Sequence, residues 1–327
     1  MNGHRFPWHR QLQLRLMHHL SLPLHGLFSA LPAWEYGLAE PTITRIHCRH
    51  TPLAGRKAVQ ISDLHLDRYL PRHDTVLERI AALKPDWIFI TGDLLNTPAG
   101  IPHLFRFLSG LRRLAPVFMT LGNHDHFSGV PVGRLAEIAD RHKLHLLINQ
   151  AIFIPIASGE LGIIGLDDPA THRADPRCIP SWVEGRFTVL LAHAPNVLDL
   201  LGPSHAVDLV LCGHSHGGQW RFRSVRPFWL PYGCAGLAEA HLIRNGRRLY
   251  INRGLGWTLL PIRWNCPPEI VLIEWVSEDP KVRAFSRARD GTRSRSAGRG
   301  PGAGTGTARG AGEGAAAKAD PRFPGHA

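Results

Sequence analysis

The stretch Phe118-Met119-Thr120-Leu121-Gly122-Asn123-His124-Asp125 is largely apolar for four positions and then breaks into a glycine, an amide, an imidazole and a carboxylate. A short apolar run stopped by a glycine turn reads as a buried strand, with the polar residues at its carboxyl end. The same pattern recurs at Val59-Gln60-Ile61-Ser62-Asp63-Leu64-His65, at Ile88-Phe89-Ile90-Thr91-Gly92-Asp93, at Val189-Leu190-Leu191-Ala192-His193 and at Leu209-Val210-Leu211-Cys212-Gly213-His214-Ser215-His216. In an α/β sheet the carboxyl ends of the strands form one rim, and ligands bind there. Asp63, Asp93 and Asn123 follow one another at intervals of 30 residues, the approximate length of a βαβ unit. Each therefore stands at the same height in the sheet.

Outward from these strands, helices are expected at 73–83, 101–114 and 131–142. A strand-rich half follows, with strands at 151–156, 161–166, 187–192, 207–212, 219–222, 249–252 and 270–275. A β-α-β-α-β start followed by many strands predicts an α/β fold of sheets layered with helices.

Carboxylate, amide oxygen and imidazole suit hard to borderline divalent ions such as Mn²⁺, Fe²⁺ or Zn²⁺. Asp63, His65, Asp93, Asn123, His193, His214 and His216 are too many ligands for one tetrahedral ion. They suit two ions sharing a carboxylate, an arrangement that clamps the attacking and leaving oxygens of a phosphoryl displacement.

The ordered set Asp63-Leu64-His65, Gly92-Asp93, Gly122-Asn123-His124-Asp125, His193 and Gly213-His214-Ser215-His216 resembles the calcineurin-like metallophosphoesterase superfamily over residues 55 to 275. The resemblance implies a four-layer α-β-β-α sandwich with a dimetal site at the carboxyl ends of the strands. It implies that Asp63, His65 and His216 hold one metal ion, that Asn123, His193 and His214 hold the other, and that Asp93 bridges them. It gives His124 a catalytic role at the leaving oxygen, with Asp125 orienting it. Mn²⁺ is the first choice of metal, with Fe²⁺ or Zn²⁺ as alternatives, and no covalent phosphoenzyme forms. Later motifs, Gly213 to Gln219, Arg253-Gly254-Leu255-Gly256, Pro261 with Arg263, and Pro267-Pro268-Glu269-Ile270, resemble one bacterial branch. That branch includes diphosphatases acting on UDP-2,3-diacylglucosamine in lipid A synthesis. The alternative is a soluble phosphodiesterase or phosphatase acting on nucleotides or small phosphoesters.

Composition divides the chain into an N-terminal segment (1–52), a metallophosphoesterase domain (53–277) and a Gly/Ala/Arg-rich tail (278–327) expected to be disordered. Of the net charge of +12, the stretch from Lys281 onward carries +7, so the high charge is weak evidence for nucleic-acid binding, and no specific nucleic acid is expected as a partner. Leu12, Leu16, Leu20, Leu24, Leu27 and Leu31 repeat every three or four residues beside Arg5, Arg10 and Arg15. Two readings stay open: a helix lying on a membrane surface, and a helix packed on the protein's own body. No apolar run is long enough to span a bilayer, and no clean signal peptide stands at the start. A cytoplasmic protein, peripheral at the inner membrane, is the expectation. The five cysteines form no metal-binding pair and read as free thiols. His126 reads as a surface residue. Asp167-Asp168 is either a substrate contact or a capped turn. Arg173, Arg221, Arg253 and Arg263 are candidates for phosphate contacts. Trp229 to Tyr232, Trp257, Leu259 and Leu260 read as core residues before an acyl-chain groove.

Overall fold

The computed structural model describes residues 40–221, 227, 229–244, 247–258, 260 and 262–277, together with Leu12, Arg15, Leu16, His19, Leu20 and Pro23. The tail expected at 278–327 lies outside the described residues, as do Leu24, Leu27 and Leu31.

Two six-stranded sheets form the framework. The first contains β1 (Thr42–Arg49), β2 (Lys57–Ile61), β3 (Trp87–Thr91), β4 (Val117–Thr120), β5 (His145–Leu146) and β12 (Glu269–Val276). Its order is β1-β12-β2-β3-β4-β5. The second contains β6 (Gln150–Ile156), β7 (Gly159–Gly165), β8 (Arg186–Leu191), β9 (Leu209–Cys212), β10 (Ala240–Arg244) and β11 (Arg247–Ile251). Its order is β10-β11-β9-β8-β7-β6. The inner strands β2, β3 and β4 run parallel, and so do β7, β8, β9 and β11. Their carboxyl ends thus share a rim in each sheet.

Side-chain alternation builds the layers. Trp87 and Phe89 of β3 enter one buried cluster, and Ile88 and Ile90 enter another. The first cluster also takes Phe187, Val189 and Leu191 of β8, so it fills the space between the sheets. The second meets Ile80 of helix α1 (Pro71–Leu83), Leu104, Leu108 and Leu111 of α2 (Ile101–Leu114), and Leu135 and Ile138 of α4 (Val132–Arg141). The outer face of the second sheet, through Ile164, Leu190 and Val210, packs on Ile179, Val197 and Leu201. Among the described residues that fourth layer consists of loops and 3₁₀ turns such as Pro195–Leu200. A short helix, α3 (Asn123–Phe127), begins where β4 ends.

Two expectations change. β1 falls inside the stretch that composition groups with the N-terminal segment, yet it pairs in parallel with β12 along its whole length. Ile46 and Cys48 face the core, while Arg45, His47 and Arg49 line the edge. That charged edge hides the strand from composition. The strand expected at 219–222 is reduced to a single bridge between Trp220 and Trp264, with Phe222 outside the described residues.

His73 shows how an ionisable group becomes part of the core. It is buried at the start of α1, where its Nδ1 accepts the Leu70 N–H at 2.8 Å. Burial, with Arg72 adding to it, lowers its pKa to about 3. The folded chain therefore refuses a proton that the unfolded chain takes up as pH falls through ordinary histidine values. Stability held above that range is lost on acidification, by about 2 kcal/mol on going to about pH 5. His73→Gln keeps an acceptor but does not titrate. Its melting temperature is expected to fall less than wild type between neutral and mildly acid pH; an equal fall in both proteins excludes this account.

Candidate metal centre

The rim turns are laddered together by backbone bonds. Asp63 N donates to Gly92 O, His65 N to Asp93 O and Gly213 N to His193 O. Five rim residues, Asp63, His65, Asp93, His214 and His216, have φ between 44° and 69°. Non-glycine residues in this left-handed region cost roughly 1–3 kcal/mol each. Where the turns approach closely only glycine fits: a Cβ on Gly122 would lie 2.2 Å from Asp93 Oδ1, and one on Gly213 1.9 Å from Ser62 Oγ.

The side chains converge in two groups able to hold a metal ion. Asp63, His65, Asp93 and His216 form one, Asp93, His193 and His214 form the other, and in each the candidate ligand atoms lie within 4.8 Å of one another. Asp93 belongs to both. Its Oδ2 lies 3.5 Å from His65 Nε2 and 3.2 Å from His193 Nε2, while its Oδ1 accepts the His124 N–H at 2.9 Å.

Outer hydrogen bonds set the imidazole tautomers. His193 Nδ1 donates to Thr91 O at 2.8 Å, and His214 Nε2 donates to Tyr232 O at 2.6 Å. A carbonyl can only accept, so His193 Nε2 and His214 Nδ1 keep their lone pairs when both rings are neutral. These two atoms face each other at 3.0 Å. Such a contact calls for a cation between them. Asn123 supplies an independent sign: its Oδ1 is buried without a hydrogen-bond partner. An orphan carbonyl oxygen, two opposed imidazoles and a shared carboxylate fit divalent ions well.

Electrostatics agree. Burial lowers the pKa of His193, but Asp93, Asp63 and Asp168 outweigh it and the value rises to about 10. Burial and the neighbouring His193 push His214 down to about 3. The opposed pair thus holds one positive charge. Burial also favours the neutral form of Asp93, yet His193, His124 and His65 hold it well below the usual carboxylate range.

His124 is buried beside this centre, its ring 4.6 Å from that of His65 and nearly perpendicular to it. Asp125 does not reach it as expected. Asp125 Oδ2 accepts the Gly122 N–H at 2.8 Å and Oδ1 accepts those of Leu94 and Leu95 at 2.8 and 3.2 Å. It therefore pins two rim turns together. Burial, with Asp93 nearby, raises its pKa to about 7. The residue bonded to His124 is Asn96, whose Oδ1 accepts from Nδ1 of both His124 (2.7 Å) and His65 (2.8 Å). Asn96 Nδ2 donates to Asp67 Oδ2 at 2.9 Å, which fixes the amide orientation. Its position three residues beyond Asp93 was the available sequence signal.

Other assignments also change. His126 is buried against Asp167 Oδ1 at 2.6 Å rather than exposed. Asp168 caps a turn, accepting from Ala170 N and Thr171 N. Arg263 donates to the carbonyls of Gly256, Arg253, His216 and Cys266, and Arg253 pairs with Glu269. Arg221 pairs with Glu239. These three guanidiniums brace the loops behind Asp63, where Leu255 N and Gly256 N donate to Ser62 O and Asp63 O.

Because Asn96 holds two imidazoles, Asn96→Leu is expected to lower kcat and metal affinity together, each by about 10–100-fold. Steady-state kinetics and calorimetric metal titration check this; loss of activity with unchanged metal affinity rules out the link through His65.

Known proteins bear the same imprint. The calcineurin-like phosphoesterase family pattern matches residues 56–218. The chain is 33% identical over 273 residues to the metallophosphoesterase YkuE of Bacillus subtilis, covering 76% of this chain and 94% of that one. It is 30% identical over 227 residues to the phosphodiesterase YaeI of Escherichia coli, covering 67% and 82%. It is 28% identical over 293 residues to the UDP-2,3-diacylglucosamine pyrophosphatase LpxG of Chlamydia trachomatis, covering 69% and 85%. With this similarity and the paired Asp/His clusters, the chain belongs to the calcineurin-like metallophosphoesterase family and is a metal-dependent phosphoester hydrolase.

Proposed function

We propose that this protein hydrolyses the pyrophosphate of a nucleotide-sugar lipid, UDP-2,3-diacylglucosamine or a close analogue, at the inner face of a membrane. The observation that carries the chemistry is Asp93 Oδ2, shared by two buried ligand clusters. The similarity to LpxG supports the substrate class.

Asp63, His65 and His216 would hold one ion, Asn123, His193 and His214 the other, and Asp93 both, with Mn²⁺ the preferred metal. When bound, the ions neutralise phosphate charge and lower the pKa of water. The protein's residues do the rest. Asn96 Oδ1 accepts a hydrogen bond from His124 Nδ1–H, leaving Nε2 for the substrate. As the imidazolium, His124 gives its Nε2 proton to the leaving oxygen and is left as the neutral ring, its Nδ1–H still bonded to Asn96. Asp125 keeps the Gly122 turn closed so that His124 stays in place. The buried rim excludes bulk water and strengthens each of these interactions.

Two features support the membrane reading, and a third, a contact of Arg15, ties the same segment to the protein's own body. No acidic residue precedes Glu35, while Arg5, Arg10 and Arg15 do. Leu12, Leu16 and Leu20 are helical and 54%, 53% and 52% exposed, a spacing that puts them on one face. The Arg15 guanidinium lies 5.8 Å from the Phe127 ring, beside the Asn123–His124 helix. A basic, leucine-faced helix fits an anionic lipid surface. Among the described residues no helix is long and apolar enough to cross a membrane. Removal of residues 1–40 is expected to abolish co-flotation with anionic vesicles; flotation that survives truncation moves the contact elsewhere.

The similarity to YaeI favours a second reading, a phosphodiesterase for smaller esters. Mass spectrometry separates the two. Mn²⁺-loaded protein is expected to convert UDP-2,3-diacylglucosamine to UMP and the diacylglucosamine phosphate, and Asp93→Ala to retain less than about a tenth of that rate. Hydrolysis of a simple diester without these products selects the second reading.

A further inference from the structure

Beside the second cluster lies a cavity of about 590 Å³, lined by Pro169, His172, Asn196, Leu200, Tyr232 and Gly233 among others. Its wall is joined to the metal centre through two backbone neighbours. Tyr232 O accepts from His214 Nε2, and a Cβ on Gly233 would lie 3.3 Å from that same nitrogen. Gly233 has a φ of 104°, so the chain passes close to the ligand where other residues would be strained.

Two features of the cavity have no role in holding the ions. The rings of His172 and Tyr232 are within 13° of parallel, with centroids 6.5 Å apart, at the long end of the aromatic contact range. They offer a planar ligand one consistent direction in which to stack. Asn196 stands on the same lining. Its Nδ2 donates to Pro169 O at 3.1 Å, which fixes the amide, and its Oδ1 is buried with no partner. Buried acceptors are nearly always paired, so this oxygen, on a residue that lines the cavity, calls for a donor that the protein does not supply. The exposed carboxylate of Asp199 adds an acceptor for hydroxyls.

We propose that this cavity is a nucleoside site: the base lies against His172 and Tyr232, Asn196 Oδ1 accepts from a base N–H, and the phosphate reaches the rim beside His214. The site rests on the hydrolase reading above and specifies which part of the substrate is recognised. Stacking on aromatic side chains tolerates any base, whereas an amide acceptor selects bases with an N–H on the matching edge.

Calorimetry on the Mn²⁺-loaded full chain, with uridine 5′-monophosphate and methyl phosphate as probes, tests the proposal. Both probes offer a phosphate, and only one offers a nucleoside. Wild type is expected to bind the nucleotide at least about tenfold more tightly. His172→Asn removes a ring at an exposed position whose φ of 59° asparagine tolerates. Asn196→Leu removes the acceptor. Either substitution is expected to lower the ratio of the two affinities by about fivefold or more. Equal affinities in wild type, or a ratio that neither substitution lowers, overturn the proposal. Turnover of bis(p-nitrophenyl) phosphate is recorded alongside. Its absence with the affinity ratio intact sinks the hydrolase reading and leaves the nucleoside site; its presence with a ratio near one does the reverse.

Discussion

Two imidazole nitrogens, His193 Nε2 and His214 Nδ1, face each other at 3.0 Å in a buried pocket and hold one positive charge between them. Nothing in the protein relieves that contact except a positive charge between them. Asp93 Oδ2 lies 3.2 Å from the first of these nitrogens, and Asn123 Oδ1 has no partner of its own. The outer bonds to Thr91 O and Tyr232 O keep the two rings from turning away. A divalent ion satisfies all of these groups at once.

That arrangement determines much of the rim around it. Strand ends point their side chains away from the strand axis, yet the ligands have to converge. Left-handed turns at Asp63, His65, Asp93, His214 and His216 make the correction within two to four residues of the strand end. Strain of this kind persists only where the surroundings over-determine it. Here the surroundings are the backbone ladder between rim turns, Asp125 gripping three amide N–H groups, and Arg263 gripping four carbonyls. Asp125, a catalytic candidate in the sequence, and Arg263, a candidate phosphate contact, act as clamps in the fold.

The centre also reaches outward through its outer bonds. Asn96 ties His65, a candidate ligand, to His124, so the two rings share one amide. Tyr232 ties His214 to the neighbouring cavity. Single residues thus connect the candidate ligands to His124 and to the cavity wall.

The sequence by itself determined the strands β2, β3, β4, β6, β7, β8, β9, β11 and β12 and the polar residues that follow β2, β3, β4, β8 and β9, because a strand writes a short apolar run that turn or polar residues close. It also determined which residues are chemically suited to a pair of divalent ions, since ligand type is a local property. Partners far apart in the chain were not legible. Asn96 looks like any turn amide until the fold brings it between His65 and His124, and Asp125 looks like the partner of its neighbour until its oxygens turn to Gly122, Leu94 and Leu95. β1 was hidden because an edge strand exposes one face, and its charges resemble those of the segment before it. Hydrogen-bond partners, left-handed turns and edge pairing depend on which strands become neighbours, and only the tertiary structure decides that.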